Sequence, residues 1–418
     1  MGPPHRRTAT PPNGANDVEC RSEISLMQSR LRVIAVGMLL GAVLSGGGAE
    51  RAASGEGSAA TSAPAASSMP LPAADAATLD TIATDAMRSG AVPGMAVGVW
   101  IPGRGDLVRT YGVSDVSTKA PFTADDHVRI ASITKTFTAT AALLLVDRGK
   151  LRLDDRLETF VPGVPNGPDI TVAQLLNMTS GVFDFTTDPA FSDAFDADPL
   201  APFPLERVLE ILRRQPPAFA PGAAGQWQYS DSNYILLGEI IGQVSGEDAG
   251  AFIQHEIVDR LGLPGTSYPA TPDMPSPAAR GYVIVPAGQP ERDVTAVNPA
   301  VPGTAGAMIS TLEGLHAWAP ALAEGRLLSP EAHRVQTTFV EAKLSPQLRT
   351  GYGAGLISIN DFVGHNGAIY GYNTAMFHLP DAGATIVVVA NKSTNFDGVA
   401  TATFLKLAQA YFPEKFAT

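Results

Sequence analysis

Residues 132–150 read SITKTFTATAALLLVDRGK, and this stretch decides how the rest of the chain must fold. Its apolar residues fall on almost every side of a helix rather than on one stripe, which is typical of a helix buried all round. Gly149 near its end is a helix stop signal. The stretch therefore predicts a central helix around which the other elements pack.

Ser132 and Lys135 form an S-x-x-K tetrapeptide at the predicted start of this helix. Residues three positions apart share a helix face, so the hydroxyl and the amine can meet. A serine hydroxyl becomes a good nucleophile when a neighbouring base takes its proton, and a lysine whose pKa is lowered by burial can be that base. The helix N-terminus adds free backbone N–H groups that favour developing negative charge. The pair predicts a nucleophilic serine activated by lysine.

A second polar segment, residues 229–234 (YSDSNY), precedes the apolar stretch ILLG. A tyrosine just before a helix can aim its hydroxyl into a cleft, and a phenol near an ammonium is stabilised as phenolate and can relay a proton. Standing alone, the segment favours a tyrosine that merely packs at a helix start. We therefore expect a catalytic Tyr229 only in combination with the other motifs.

The third motif is His365-Asn366-Gly367-Ala368. A glycine in a strand lets a substrate lie close to the backbone, and the next N–H group, from Ala368, can face an oxyanion. A lone histidine is more often structural, so this motif also gains its meaning from the other two.

Together and in this order, the three motifs resemble the serine β-lactamase and penicillin-binding protein superfamily. The most similar branch comprises class C β-lactamases, D-alanyl-D-alanine carboxypeptidases and family VIII esterases. The resemblance covers residues 79–418 and includes three supporting stretches: 175–181 (LLNMTSG), 221–222 (PG) and 304–310 (TAGAMIS).

The resemblance implies a role for each matching residue. Ser132 is the acylated nucleophile, and Lys135 accepts its proton or tunes its neighbours. Tyr229 passes the proton to the leaving group. His365 and Gly367 match the third family motif, and the backbone N–H groups of Ser132 and Ala368 match the oxyanion hole.

Two residues depart from the family pattern. Asp231 stands where asparagine is frequent, and an ionised aspartate accepts hydrogen bonds but donates none. Close to Lys135 it would hold the lysine charged, which weakens Lys135 as a base and moves the burden to Tyr229. Asn366 stands where threonine or serine is usual, and we expect it to donate to a substrate carboxylate.

The order of predicted elements favours an α/β fold. Strands near both ends of the domain and helices in the middle predict one antiparallel sheet, flanked by helices and built from both ends, with an inserted, mainly helical lobe. The predicted strands are 96–101, 106–112, 280–285, 353–360, 374–379 and 385–391. The further predicted helices are 171–176, 205–214, 234–244 and 399–411.

The N-terminal part predicts export. The apolar run 33–44 follows Arg30 and Arg32 and precedes small residues, as in a secretory signal. It is too short to span a bilayer comfortably, although a short uncleaved anchor is an alternative. We divide the chain into an N-terminal extension with the signal-like segment (1–48), an Ala/Ser/Pro-rich linker (49–78) and a hydrolase domain (79–418), and expect a secreted, periplasmic or cell-wall-associated protein.

Composition and charge bear on which partners and cofactors the protein has. The 418 residues carry a formal net charge of −12 without a Lys/Arg run, which argues against nucleic acid as a partner. The one cysteine, Cys20, lies in the segment expected to be removed. Scattered histidines form no ligand-spaced pair, so we expect neither a metal nor a cofactor.

The function predicted is acyl transfer through Ser132 to water, on an ester or amide carbonyl. A D-alanyl-D-alanine carboxypeptidase-like peptidase or an esterase ranks above a class C β-lactamase because of Asp231. A non-catalytic penicillin- or peptidoglycan-binding protein is the alternative from another class, and a structural wall-associated protein is a third. The expected partner is a small-molecule or peptide substrate, with cell-wall peptides as one candidate, and the oligomeric state stays open.

Overall fold

The structure is a computed structural model that describes Gly2 and residues 69–283, 291–393 and 398–417. The predicted signal-like segment, Cys20 and most of the predicted linker lie outside the described residues. The helices are α1 (Ala73–Gly90), α2 (Thr134–Asp147), α3 (Leu157–Phe160), α4 (Val172–Leu176), α5 (Pro189–Ala197), α6 (Leu205–Arg214), α7 (Asp231–Ser245), α8 (Ala249–Ile253), α9 (Gly303–Gly306), α10 (Leu312–Ala323), α11 (Pro330–Gln336) and α12 (Val399–Tyr411). The strands are β1 (Gly94–Ile101), β2 (Gly105–Gly112), β3 (Val128–Arg129), β4 (Tyr282–Val283), β5 (Arg292–Asp293), β6 (Ile309–Ser310), β7 (Val340–Glu341), β8 (Thr350–Tyr352), β9 (Ile357–Ile359), β10 (Phe362–Ile369), β11 (Tyr372–Leu379) and β12 (Ala384–Ala390).

Eight strands form one antiparallel sheet in the order β2-β1-β12-β11-β10-β9-β8-β7. Strands β1 and β2 precede the helical middle of the chain, whereas β7 to β12 follow it. The two groups meet where β1 pairs with β12, with Val97 opposite Val388. The α/β prediction of a sheet built from both ends, with an inserted helical lobe, is confirmed.

Neighbouring residues of β11 show what covers each face of the sheet. The Asn373 side chain accepts a hydrogen bond from the backbone of Ala400 in α12 (2.9 Å). Thr374 points the other way and donates to the Ile130 carbonyl (3.1 Å). Because side chains alternate along a strand, α12 covers one face and the segment that leads into α2 covers the other.

Helix α2 is buried on all sides, as its sequence predicts: every residue from Thr134 to Leu145 is buried. A 3₁₀ turn over Ala131–Ile133 leads into it. Phe137 stacks on Trp318 of α10 with ring centres 4.4 Å apart, and the Trp318 indole donates to Thr136 (2.8 Å). Packing of this kind fixes the helix axis and therefore the positions of side chains at its start.

Helix α1 begins at Ala73, within the predicted linker and before the predicted start of the hydrolase domain at Leu79. Asp75 forms a two-pronged ion pair with Arg104 in the turn after β1, with both N···O distances 2.8 Å. The Tyr411 hydroxyl donates to the Asp75 carbonyl (2.9 Å). These contacts hold the first turn of α1. They join residues far apart in the chain, so local composition does not predict them.

One strand prediction needs correction. The single strand predicted over 353–360 is wrong, because β8 and β9 are separate strands joined by a turn at 353–356. Gly355 in that turn has φ +72°, a left-handed conformation that breaks the extended chain. The strand predicted over 280–285 is present as β4, and residues 284 and 285 lie outside the described part of the chain.

Candidate active site

The nucleophile candidate lies in the 3₁₀ turn before α2. Ser132 is half-buried, and the preceding residue, Ala131, has φ +50°. A left-handed conformation costs a non-glycine residue about 1–2 kcal/mol, so the surrounding packing must hold it. Ile130 supplies part of this hold, since its backbone N–H donates to the Met308 carbonyl (3.0 Å). The turn presents the serine hydroxyl at the edge of the buried helix.

Lys135 is fully buried, and its ammonium group contacts three acceptors. Its Nζ lies 2.9 Å from Ser132 Oγ and 2.8 Å from the Ala305 carbonyl. The third acceptor is Asp231 Oδ1, at 2.5 Å. Burial lowers the pKa of Lys135, whereas the Asp231 carboxylate opposes that fall. An ammonium has three N–H donors, and these acceptors match all of them.

Tyr229 lies beside this pair, with Lys135 Nζ 5.0 Å from the centre of its ring. Its hydroxyl interacts with that of Ser132. Burial, reinforced by the charge of Asp231, raises the pKa of Tyr229 well above its ordinary value. The expected phenolate is therefore wrong for the resting site, because Asp231 rather than the phenol neutralises the ammonium.

Strand β10 brings the third motif against the nucleophile. A Cβ atom on Gly367 would lie 2.3 Å from the Ile130 carbonyl, so a side chain there would displace the Ser132 turn. The expectation for Asn366 needs correction: its Nδ2 donates to Thr401 of α12 (3.0 Å), on the face of the sheet opposite to Ser132. Asn366 therefore does not offer its amide to a substrate carboxylate.

His365 faces the site but is uncharged. Its Nδ1 lies 2.5 Å from the Asn366 carbonyl and its Nε2 lies 3.3 Å from the Tyr352 hydroxyl. A carbonyl only accepts, so Nδ1 carries the proton and Nε2 accepts from the tyrosine. Burial, together with the charge of Lys135, lowers the pKa of His365 to about 3.

The exposed edge of β10 lies next to these groups. Strand β9 pairs with β10 only over Phe362–Gly364, so no described strand pairs with β10 on that side beyond Gly364. Backbone N–H groups alternate between the two edges of a strand, and some of them point outward here. The assignment of Ala368 and Ser132 N–H as oxyanion donors stays a prediction.

Three groups near the site were not identified from the sequence. The Ala305 carbonyl accepts from Lys135, and Tyr352 contacts His365. Asp184 is buried, and its pKa is raised to about 7, first by burial and then by the charge of Asp231. A charged residue inside the apolar run VFDF (182–185) is a signal that could have identified Asp184.

The described residues contain no group of three or more His, Cys, Asp or Glu side chains placed to hold a metal ion. No helix in the described part of the chain combines the length and apolar character needed to cross a membrane.

Comparison with known proteins identifies the family. A family model described as Beta-lactamase matches residues 79–410. PbpX of Bacillus subtilis, named for penicillin binding, is 28% identical over 271 residues, which are 64% of this chain and 62% of the relative. The chain thus spans just under two thirds of that curated relative.

Two solved structures match most of the chain. A D-stereospecific amidohydrolase from Streptomyces sp. is 33% identical with a TM-score of 0.71, and the match covers 81% of this chain and 98% of that one. A D-amino acid amidase from Ochrobactrum anthropi SV3, complexed with L-phenylalanine amide, is 26% identical with a TM-score of 0.71, and covers 82% and 100%. With its sheet, its helical lobe and its matching model, this chain belongs to the β-lactamase family and is a serine hydrolase.

Proposed function

We propose that this serine hydrolase cleaves small amides and esters of D-amino acids, rather than peptides or β-lactams that need a bound carboxylate. The observation that carries the proposal is the third motif. His365 is uncharged and Asn366 points to the opposite face of the sheet, so neither predicted residue can hold a carboxylate on the leaving group. The similar amidohydrolase and amidase structures support an amide substrate.

The chemistry follows from the three acceptors around Lys135. Lys135 stays an ammonium and stabilises the negative charge that develops on Ser132 Oγ during attack. Tyr229, a neutral phenol, receives the serine proton while it gives its own proton to the leaving nitrogen. A phenol with a raised pKa can relay a proton in this concerted way without becoming a free phenolate. Water then hydrolyses the acyl-enzyme, with Tyr229 acting in reverse.

A matched pair of substrates tests the preference. D-alanyl-D-alanine and its C-terminal amide differ only in the leaving-group carboxylate. We expect kcat/KM for the amidated form to be higher by tenfold or more. The corresponding difference in free energy is about that of one charge-assisted hydrogen bond. Ser132→Ala must abolish both activities. Faster cleavage of the free acid would overturn the proposal and restore the carboxypeptidase assignment.

A penicillin-binding role without turnover is the remaining candidate, because PbpX is similar in sequence and carries that name. A fluorescent penicillin added to the same protein separates the two. Stable labelling of Ser132, with no hydrolysis of any amide or ester, would favour the binding protein.

We also propose that the protein is exported. The apolar run 33–44 after two arginines supports export. Fractionation of the source cells, followed by N-terminal sequencing of the mature chain, tests it. Mature protein that retains residues 1–48 in the cytoplasm would refute it.

A further inference from the structure

Two facing backbone segments carry one aspartate each, and one of the two, Asp231, pairs with Lys135. On one segment, Asp184 lies between Phe183 and Phe185. On the other, Asp231 lies between two serines. The Phe185 N–H donates to Ser232 Oγ (3.0 Å), and the Ser230 hydroxyl donates to the Phe183 carbonyl (3.3 Å). Each aspartate thus lies between the two hydrogen bonds that clamp the segments together.

The Asp184 carboxyl is fixed as well as buried. Its Oδ1 accepts from the backbone N–H of Thr186 (3.2 Å) and from the Thr186 hydroxyl (2.9 Å). The residue is 8% exposed. A side chain this constrained cannot turn away from its neighbours, so its ionisation changes the charge that they meet.

The charges around Asp184 come from two elements. Helix α2 contributes the ammonium of Lys135, and the start of α7 contributes the carboxylate of Asp231, with the phenol of Tyr229 next to it. With both carboxylates ionised, the buried cluster holds two negative charges and one positive charge. Like charges in a low dielectric disfavour each other's ionisation. Burial, and then the charge of Asp231, raises the pKa of Asp184 to about 7.

We propose that Asp184 is a positioning residue of the reaction, which supports acylation when protonated and opposes it when ionised. The inference rests on the proposed relay from Ser132 through Tyr229. Attack moves negative charge onto the Ser132 and Tyr229 oxygens. A second carboxylate beside Lys135 offsets the positive charge that stabilises those oxygens, so ionised Asp184 raises the barrier.

The decisive variant is Asp184→Asn, because an amide keeps an oxygen acceptor for Thr186 and resembles the protonated acid. The measurement is kcat/KM for a p-nitrophenyl ester from about pH 5 to about pH 9, which follows acylation of Ser132 without requiring an amide preference. We expect the wild-type value to fall as the pH rises through about 7. The variant should lack that fall. At the alkaline end of the range, its kcat/KM should exceed that of the wild type about tenfold.

Asp188→Asn is the matched control. Asp188 is a buried carboxylate on the same loop, but it caps α5 and pairs with Arg214 and Gln215. Its loss should leave the midpoint of the pH profile in place even if the rate drops. Asp184→Ala removes the Thr186 contacts as well as the charge, so its difference from Asp184→Asn reports the structural cost of losing those contacts.

The outcomes separate the two proposals. If no variant and no wild-type protein hydrolyses the ester at any pH, the proposed function fails. If the wild type is active and the Asp184→Asn profile superimposes on it, the Asp184 proposal fails while the function stands. A folded Asp184→Asn protein that is slow at every pH would also overturn the proposal, since it would show that the ionised carboxylate is needed.

Discussion

At the residue scale, Tyr229 is the proton relay that we propose, and its removal should affect amides more than activated esters. An amine leaving group must be protonated, whereas p-nitrophenolate leaves as an anion, so with the ester Tyr229 only passes the serine proton on to solvent water. We expect Tyr229→Phe to lower kcat/KM for a D-amino acid amide by about a hundredfold or more, and for the p-nitrophenyl ester by about tenfold. Equal losses on both substrates would contradict a role in protonating the leaving group.

In the proposed mechanism, Asp231 keeps Lys135 from acting as a base. With Asp231→Asn the lysine keeps its burial but loses the carboxylate at 2.5 Å, so its pKa should fall further below its ordinary value. A neutral Lys135 can then take the serine proton itself. We therefore expect Tyr229→Phe to cost less ester activity in the Asp231→Asn background than in the wild type, as a double-mutant cycle measures.

Asp154→Asn serves as the control for that cycle, since Asp154 pairs with Arg152 at the exposed surface. It should leave the cost of Tyr229→Phe unchanged. Strictly additive losses in the Asp231 cycle would show that Asp231 does not govern the proton route.

At the element scale, the turn between β8 and β9 presses on the helix that carries Lys135. A Cβ atom on Gly355 would lie 2.6 Å from the Lys135 carbonyl and 2.7 Å from Ala139. Gly355→Ala should therefore lower the free energy of unfolding by about 2–4 kcal/mol, from overpacking and left-handed strain together, and should also lower kcat.

Gly103→Ala isolates the strain from the clash. Gly103 has φ +76°, close to that of Gly355, but a Cβ there meets nothing within 4 Å. The control should cost about 1–2 kcal/mol and leave kcat intact. Urea unfolding and steady-state kinetics on both variants provide the comparison. Equal effects of the two substitutions would argue against a packing role for the β8–β9 turn.

The same scale shows what the sequence can and cannot predict. Buried elements such as α2 and α12 were predicted well, because all-round apolar character survives any tertiary arrangement. The direction of the Asn366 side chain was not predicted correctly. Alternation along β10 fixes which residues share a face of the sheet, but it does not fix which face meets Ser132. Asp184 was missed because its partners lie on segments far away in the chain, and their approach depends on how the loop docks onto α7.

At the scale of the whole molecule, the sheet joins the two ends of the chain and buries ionisable groups between sheet and lobe. The domain boundaries and the export of the protein stay predictions. The order of strands in the sheet follows from the observed strand pairing. Burial of His365 makes stability depend on pH. An exposed histidine of the unfolded chain titrates near its ordinary value of 6.5, whereas the pKa of the folded His365 is about 3.

Between those two values the unfolded state binds a proton that the folded state does not. The stability contributed by His365 is therefore present above about pH 6.5 and is lost as the pH falls toward 3. His365→Gln should flatten the loss of unfolding free energy in this window by up to about 1.4 kcal/mol per pH unit, the value for one proton. Guanidinium unfolding at several pH values measures the slope. A slope unchanged in His365→Gln would mean that His365 is already protonated in the folded protein, which would reopen the possibility that it binds a carboxylate.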